Sequence, residues 1–258
     1  MAVVEHQADL KPHRTRYWLH PKIDDEATFR EEVRTVCKRD HQAPALQAQG
    51  VPVISTEEKT GIRALEPIHP SLPLRPGHPE AVEFEDERHD TQAPSANVEV
   101  ATGRVIAPSI GDTRTEADFV AHLTATVQTD PPAEWIFIAD PLNTHQSASL
   151  VEFVAQRCAI EGDLGRKEKT GILKNMASRA AFLQDPTHRI RFVDTPKHGS
   201  WLNQVEIGFG ILTRRPLKRG RFASTEELKQ RILAFIAFFN QTLAKPFRWT
   251  YIGKPLMV

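Results

Sequence analysis

Cysteine is scarce in this chain: among 258 residues only Cys37 and Cys158 occur, far apart and with no Cys-x-x-Cys pair. Each stands among apolar neighbours in helical spacing, which excludes a disulfide scaffold and predicts buried thiols in a reducing compartment. Long apolar runs are missing too. None approaches the roughly 20 residues needed to cross a bilayer, and Met1–His20 lacks the apolar centre of a secretory signal. The expectation is a cytoplasmic protein with no membrane partner. Net charge is absent as well, since 33 basic residues balance 33 acidic ones. The molecule is no polycation, so any affinity for nucleic acid must come from local clusters. There is no internal repeat, and no Gly-x-Ser-x-Gly elbow or Cys/His context for a serine or cysteine nucleophile.

What remains is an ordinary globular composition, 40% hydrophobic and 26% charged, with length enough for a substantial core. The N-terminal stretch with Lys11, His13, Arg14 and Arg16 reads as an extended basic arm. A helix follows Asp24-Asp25, because Phe29, Val33, Val36 and Cys37 share one face and acids at its start suit the helix dipole. Val51 to Ser55 reads as a short strand running into Thr56-Glu57-Glu58-Lys59. Residues 66–80 carry five prolines, Pro67 to Pro79, which forbids helix. Val98 and Val100 lead into a Thr102-Gly103 turn, and Arg104 to Ile110 returns as the second arm of a hairpin.

Thr115 and Asp118 form a capping box for a helix that turns Phe119, Leu123 and Val127 inward. Trp135–Ala139 is a buried strand that delivers Asp140, and Ser147 caps the helix bearing Leu150, Val154 and Cys158. Residues 161–169 read as a surface loop, 171–184 as a helix and Ile190–Val193 as a strand. A helix anchored by Trp201, Leu202, Val205, Phe209 and Leu212 carries Glu206. Ser224 caps the last helix, whose Leu228, Ile232, Phe235 and Phe239 make an apolar stripe. Antiparallel strands first and helix-separated strands later predict an α/β fold, a mixed sheet covered by helices on both faces.

Three acids occupy comparable places. Glu57 ends the first strand, Asp140 ends the strand Trp135–Ala139, and Glu206 projects from a late helix. If the two strands are neighbours, their carboxylates emerge at one sheet edge, where α/β sheets place their sites. Hard oxygen ligands grouped this way suit Mg²⁺ or Mn²⁺. Two such ions about 4 Å apart activate a nucleophile and stabilise the leaving oxygen in phosphodiester displacement. Asn143 and His145 lie in the turn after Asp140, placed to order water or phosphate.

Three blocks carry a resemblance: Glu57-Glu58-Lys59-Thr60-Gly61-Ile62-Arg63-Ala64-Leu65, Asp140-Pro141-Leu142-Asn143-Thr144-His145-Gln146-Ser147, and Thr195-Pro196-Lys197-His198-Gly199-Ser200-Trp201-Leu202-Asn203-Gln204-Val205-Glu206. In order and content they resemble the catalytic blocks of bacterial insertion-sequence transposases, the mariner-related group with an Asp-Asp-Glu triad. The likeness extends to Lys11–Trp18, Ala101–Ile110 and Arg221–Leu256. It implies a ribonuclease-H-like fold with a mixed five-stranded sheet and two Mg²⁺ or Mn²⁺ ions held by Glu57, Asp140 and Glu206. It also implies Asn143, His145, His198 and Asn203 in support, and cutting and joining of the element's double-stranded DNA ends. On this reading residues 1–48 are a basic arm and linker helix, and residues 49–258 the catalytic domain. The relatives read their ends with N-terminal helix-turn-helix modules that this chain begins too late to contain. A homodimer, bacterial and at the nucleoid when bound to DNA, completes the expectation.

The chain also departs from the pattern. Glu57 stands where the family has aspartate, one methylene shorter, and Gly208 and Gly210 stand where it has tryptophan and a small polar residue. Pro141 replaces an amide, Pro94 lies where a hairpin strand should begin, and Glu85-Asp86-Glu87 puts three acids into an expected strand. These changes predict weakened cleavage. The run from Thr213 to Arg221, with Arg214, Arg215, Lys218, Arg219 and Arg221 and no acid, is placed to meet DNA phosphates. Lys11, Arg14 and Arg16 form a second basic patch. The competing reading is a non-catalytic DNA-binding or assembly protein that keeps the fold.

Overall fold

A computed structural model of the chain describes residues 23, 25–217 and 220–251. The basic residues Lys11, Arg14, Arg16, Lys218 and Arg219 lie outside the described residues. Among the described residues no helix is long and apolar enough to cross a membrane.

Helix α1 (Glu26–Gln47) begins where Asp25 accepts hydrogen bonds from the backbone N–H groups of Ala27 and Thr28. That side-chain oxygen satisfies donors an open helix end would leave orphaned. Strand β1 (Val53–Glu58) follows, buried along its whole length. Strand β2 (Ile62–Pro67) was not foreseen in the sequence. It continues β1 after Lys59–Gly61, and the two pair antiparallel with successive stretches of one long strand, β3 (Asp86–Glu99). Strand β4 (Val105–Gly111) returns along the other edge of β3 through a turn in which Gly103 takes φ 71°. A Cβ there would fall 2.0 Å from the Lys245 carbonyl oxygen, so no side chain fits.

Two expected defects in β3 turn out to be accommodated. Pro94 sits between the residues paired with β2, which end at Gln92, and those paired with β1, which begin at Ser95. It keeps its place opposite Ile110 of β4, and its carbonyl accepts from the Lys59 N–H at 2.8 Å, so the strand runs through it despite the missing N–H. The acids Asp86 and Glu87 lie in the exposed outer half of β3, where water solvates them.

Helix α2 (Glu116–Val127) has the capping box read from Thr115 and Asp118. Strand β5 (Trp135–Ala139) lies parallel to β1, and Ser147 caps helix α3 (Ala148–Arg157). The charged segment expected to be a plain loop forms a small hairpin, β6 (Gly165–Arg166) with β7 (Thr170–Gly171). The helix expected over 171–184 divides into a short 3-10 turn, Ile172–Lys174, and helix α4 (Met176–Leu183), separated by the Asn175 cap. Strand β8 (Ile190–Asp194) runs parallel to β5. The Glu206 helix is shorter than its apolar spacing suggested. Trp201 and Leu202 belong to a separate 3-10 turn, Ser200–Leu202, and helix α5 spans Val205–Leu212. Trp201 is half exposed and packs edge-on against Tyr251 instead of anchoring that helix. Helix α6 (Thr225–Thr242) is capped by Ser224, as expected.

The six-stranded sheet has the order β2-β3-β1-β5-β8 with β4 also on β3. Because β1 and β2 continue one another, it is a mixed sheet of five lanes flanked by helices, as expected. Alternation along β5 explains why all of it is buried. Trp135 and Phe137 face a core with Phe119 of α2, Leu150 of α3 and Leu183 of α4. Ile136 and Ile138 face Phe29, Val33 and Val36 of α1 on the other side. A third core under α5 and α6 joins Val98 and Ala96 to Val205, Phe209, Leu228 and Ile232.

Candidate active site

The parallel register of β1 and β5 pairs Ser55 with Ile138. Continued by two residues, it brings Glu57 level with Asp140 at the carboxyl ends of the two central strands. Glu57 is pushed up to about 7, first by burial and then by the negative charge of Asp140. Two carboxyls that resist joint ionisation are what a divalent cation neutralises. Glu57 Oε1 also accepts from the Glu58 N–H at 3.0 Å, so the longer side chain curls back onto its own strand.

The turn after Asp140 folds inward at His145. Its Nδ1 lies 3.1 Å from the Asp140 carbonyl oxygen and 2.5 Å from Asp140 Oδ1, and its Nε2 lies 3.1 Å from Glu58 Oε2. Burial opposes charge on this ring, but the contacts with Asp140 and Glu58 outweigh it and raise His145 to about 10. Both ring nitrogens therefore carry protons and donate. One oxygen each of Glu57 and Glu58 and a ring nitrogen of His145 lie within 4.8 Å of one another. Glu58 was not singled out from the sequence. The available signal was its place beside Glu57 at the end of a strand buried on both faces.

Glu206 stands exposed in the first turn of α5 and is not among those clustered ligand atoms. What brings its helix to β1 is Asn203. The Ser55 hydroxyl donates to Asn203 Oδ1 and accepts from the Val205 N–H at 2.7 Å, while Asn203 Nδ2 donates to the Thr56 carbonyl at 3.0 Å. All of these groups are buried. The tether holds the start of α5 against the two residues that precede Glu57. At the neighbouring strand end, Asp194 accepts from Gln146 Nε2 at 2.5 Å and Gln184 Nε2 at 2.8 Å, which ties the His145 turn to β8.

The remaining residues expected at the site lie apart from this cluster. Asn143 is exposed on the turn, and His198, exposed at φ 65°, borders a cleft with Phe29 and Glu32 of α1. Arg214 and Arg215 are exposed on a π-helical turn, Thr213–Leu217, that extends α5, and Arg221 reaches Ser71 Oγ. Gly208 lines an apolar crevice with Pro94, Val98, Phe235 and Phe239 beside the Glu206 helix.

The donor set fits a hard divalent cation. Asp140 Oδ1 is buried against His145 while the side chain as a whole is 23% exposed, so its accessible carboxylate oxygen is Oδ2. Together with Glu57 it offers oxygen ligands only, as Mg²⁺ and Mn²⁺ prefer. His145, protonated on both nitrogens, supplies no lone pair in this arrangement.

No curated protein matches the sequence. Among solved structures, the fold is similar to that of the Mos1 transposase paired-end complex with left transposon end, with TM-score 0.53 and 13% identity. The Mos1 mariner paired end complex with Mn gives 0.52 and 11%, and the Mos1 strand transfer complex 0.52 and 13%. Each likeness covers 92% of this chain but only 62% or 63% of the other, so the chain spans less than two thirds of those proteins. The architecture is thus the ribonuclease-H-like fold of transposase catalytic domains. The sequence matches the family described as DDE superfamily endonuclease over residues 60–229, a stretch that contains Asp140 and Glu206 and begins just after Glu57. With more than half its length in that match, the chain belongs to the DDE superfamily endonuclease family.

Proposed function

We propose that this chain is the catalytic portion of a mariner-related insertion-sequence transposase, which cleaves phosphodiester bonds at the element's ends and joins them to target DNA. The observation that carries this reading is the placing of Glu57 and Asp140 at the ends of adjacent parallel strands, close enough for one charge to raise the other's affinity for protons. Glu57, Asp140 and Glu206 are the residues assigned to hold two Mg²⁺ or Mn²⁺ ions. Such ions, when bound, polarise the scissile phosphate and lower the pKa of an attacking water. The Asn203 tether holds the start of α5, the helix that bears Glu206, against β1 beside that edge. Arg214, Arg215 and Arg221 supply phosphate contacts beside it. The division into an arm with linker helix up to residue 48 and a catalytic domain from 49 belongs to the same proposal.

The test is Mn²⁺-dependent cleavage of a pre-nicked transposon-end duplex. The wild-type chain cuts slowly, and Asp140→Asn lowers the rate by at least about 10³-fold, the several kcal/mol of charge stabilisation a metal supplies. Cutting that persists in Asp140→Asn removes Asp140 from the site and overturns this metal centre, and a chain that binds DNA and never cuts overturns the enzyme reading in favour of a DNA-binding or assembly protein.

A further inference from the structure

Successive residues of a strand point to opposite faces of the sheet. On β1 the two adjacent acids leave the strand from opposite faces, although one oxygen of each still lies within 4.8 Å of the other. Glu57 shares a face with Val53 and Ser55, the face on which Asn203 docks, whereas Glu58 shares the other face with Ile54. On that side Phe119 of α2 closes over His145, with ring centroids 4.2 Å apart. Glu58 is therefore built into the opposite wall, where its Oε2 meets His145 Nε2 at 3.1 Å. Phe119 fixes the plane of the ring and Glu58 fixes one of its edges. Its other edge is then aimed at Asp140, with Nδ1 2.5 Å from Oδ1. The consequence falls on Asp140, whose Oδ1 is held inward against the ring and buried while the side chain as a whole stays 23% exposed, so the exposed edge of the carboxylate is the one turned away from His145.

We infer that Glu58 is a positioning residue: through His145 it orients the Asp140 carboxylate for metal binding, and it is not itself a ligand. This rests on the proposed function for the metal, but the Glu58–His145 hold stands on geometry alone. Partners that orient a metal ligand from behind commonly contribute 10- to 100-fold in metal affinity. Glu58→Gln keeps a carbonyl oxygen where Oε2 stands and so keeps an acceptor for Nε2–H. Glu58→Ala removes it.

The experiment reads two signals on the intact chain: Mn²⁺ affinity by isothermal titration, and the His145 ring-nitrogen resonances, assigned by comparison with His145→Gln. Glu58→Ala is expected to shift the ring resonances and weaken Mn²⁺ binding about 10- to 100-fold. Glu58→Gln should retain ring resonances near wild type and lose less than about 10-fold, with unchanged circular dichroism in both. Wild-type affinity in Glu58→Ala overturns the inference. So does loss of binding in both variants as complete as in Asp140→Ala, because Glu58 would then be a ligand. If wild type binds no Mn²⁺, the proposed function fails, and unmoved ring resonances in Glu58→Ala would independently overturn the Glu58–His145 hold.

Discussion

Glu57 and Asp140 end neighbouring parallel strands, and burial together with the Asp140 charge pushes Glu57 from 4.5 up to about 7. The folded, metal-free chain thus holds a proton on Glu57 that the unfolded chain has released. Stability from this group is fully present below about pH 4.5 and is lost as pH rises through about 7. Across that window the stability of Glu57→Gln, read from thermal melts, should stay flat where that of the wild type falls, the variant lacking about 3 kcal/mol of the wild-type decline. Metal competes with the same proton, so Mn²⁺ affinity measured by titration calorimetry should rise between pH 6 and pH 8. A flat profile in wild type would remove Glu57 from the site.

Glu57 also bends back to accept from the Glu58 N–H at 3.0 Å, a contact that the longer side chain makes at the expense of reach toward Asp140. Glu57→Asp shortens the arm and restores the residue of the resembling family. Cleavage of a nicked end should increase about 10- to 100-fold, the usual effect of correcting a displacement of about 1 Å at reacting atoms. An equal or lower rate would show that the site is already adapted to glutamate.

Asn203 is expected to matter without touching any acid. Asn203→Ala strands the buried Thr56 carbonyl and the Ser55 hydroxyl, costing about 1–3 kcal/mol in urea unfolding. Ser55→Ala breaks the same tether. The double variant should therefore lose clearly less than the sum of the two single losses, since both remove one network. Additive losses would mean that the two side chains stabilise the fold separately.

Gly208 and Gly210 weaken α5 for a simpler reason. A Cβ on Gly208 would meet Val98 Cγ2 at 3.7 Å, ordinary contact, and one on Gly210 would meet only the end of Arg214 at 3.5 Å. Alanine at either position should add about 1 kcal/mol through helix propensity. That corresponds to a Tm increase of about 2–4 °C by calorimetry for a chain of this size. Unchanged melting would indicate that α5 is held by its tether and core alone.

Arg214 and Arg215 are exposed and unpaired with any acid in their own turn. Replacing both with alanine should weaken DNA binding evenly across sequences and flatten the slope of log K against log salt by up to about 2. A gel-shift series from low to moderate salt reads this. An unchanged slope would make the turn a solvated loop.

Local elements were legible in the sequence wherever one stretch carried its own reason to form. Thr115 with Asp118, Ser147 and Ser224 announce helix starts because a side-chain oxygen within a few residues satisfies the orphaned N–H groups. Trp135–Ala139 announces a strand by its unbroken apolar run, and Asp140 follows from it. The apolar spacing from Trp201 to Leu212 was ambiguous. It could not reveal the break at Asn203, because that break exists to satisfy Ser55 and Thr56, 148 and 147 positions away.

Strand β2 was hidden for a similar reason. Its alternation is weak, and it is held by pairing with the outer half of β3, by burial of Ala64 in the third core and by the Phe222 N–H on the Leu65 carbonyl. His145 is visible in the sequence by its place in the turn after Asp140, but its partner Glu58 lies 87 positions earlier in the chain. Which of two adjacent glutamates leaves the strand on the Asn203 face and which faces the histidine depends on the direction of the pleat. By itself, the sequence determined the caps and the central strands, and with them the strand ends at which Glu57 and Asp140 stand, because each follows from short-range periodicity and hydrogen bonding. Tertiary structure alone decided which carboxylates meet. Strand register and burial set those distances, and both arise from contacts between residues remote in the chain.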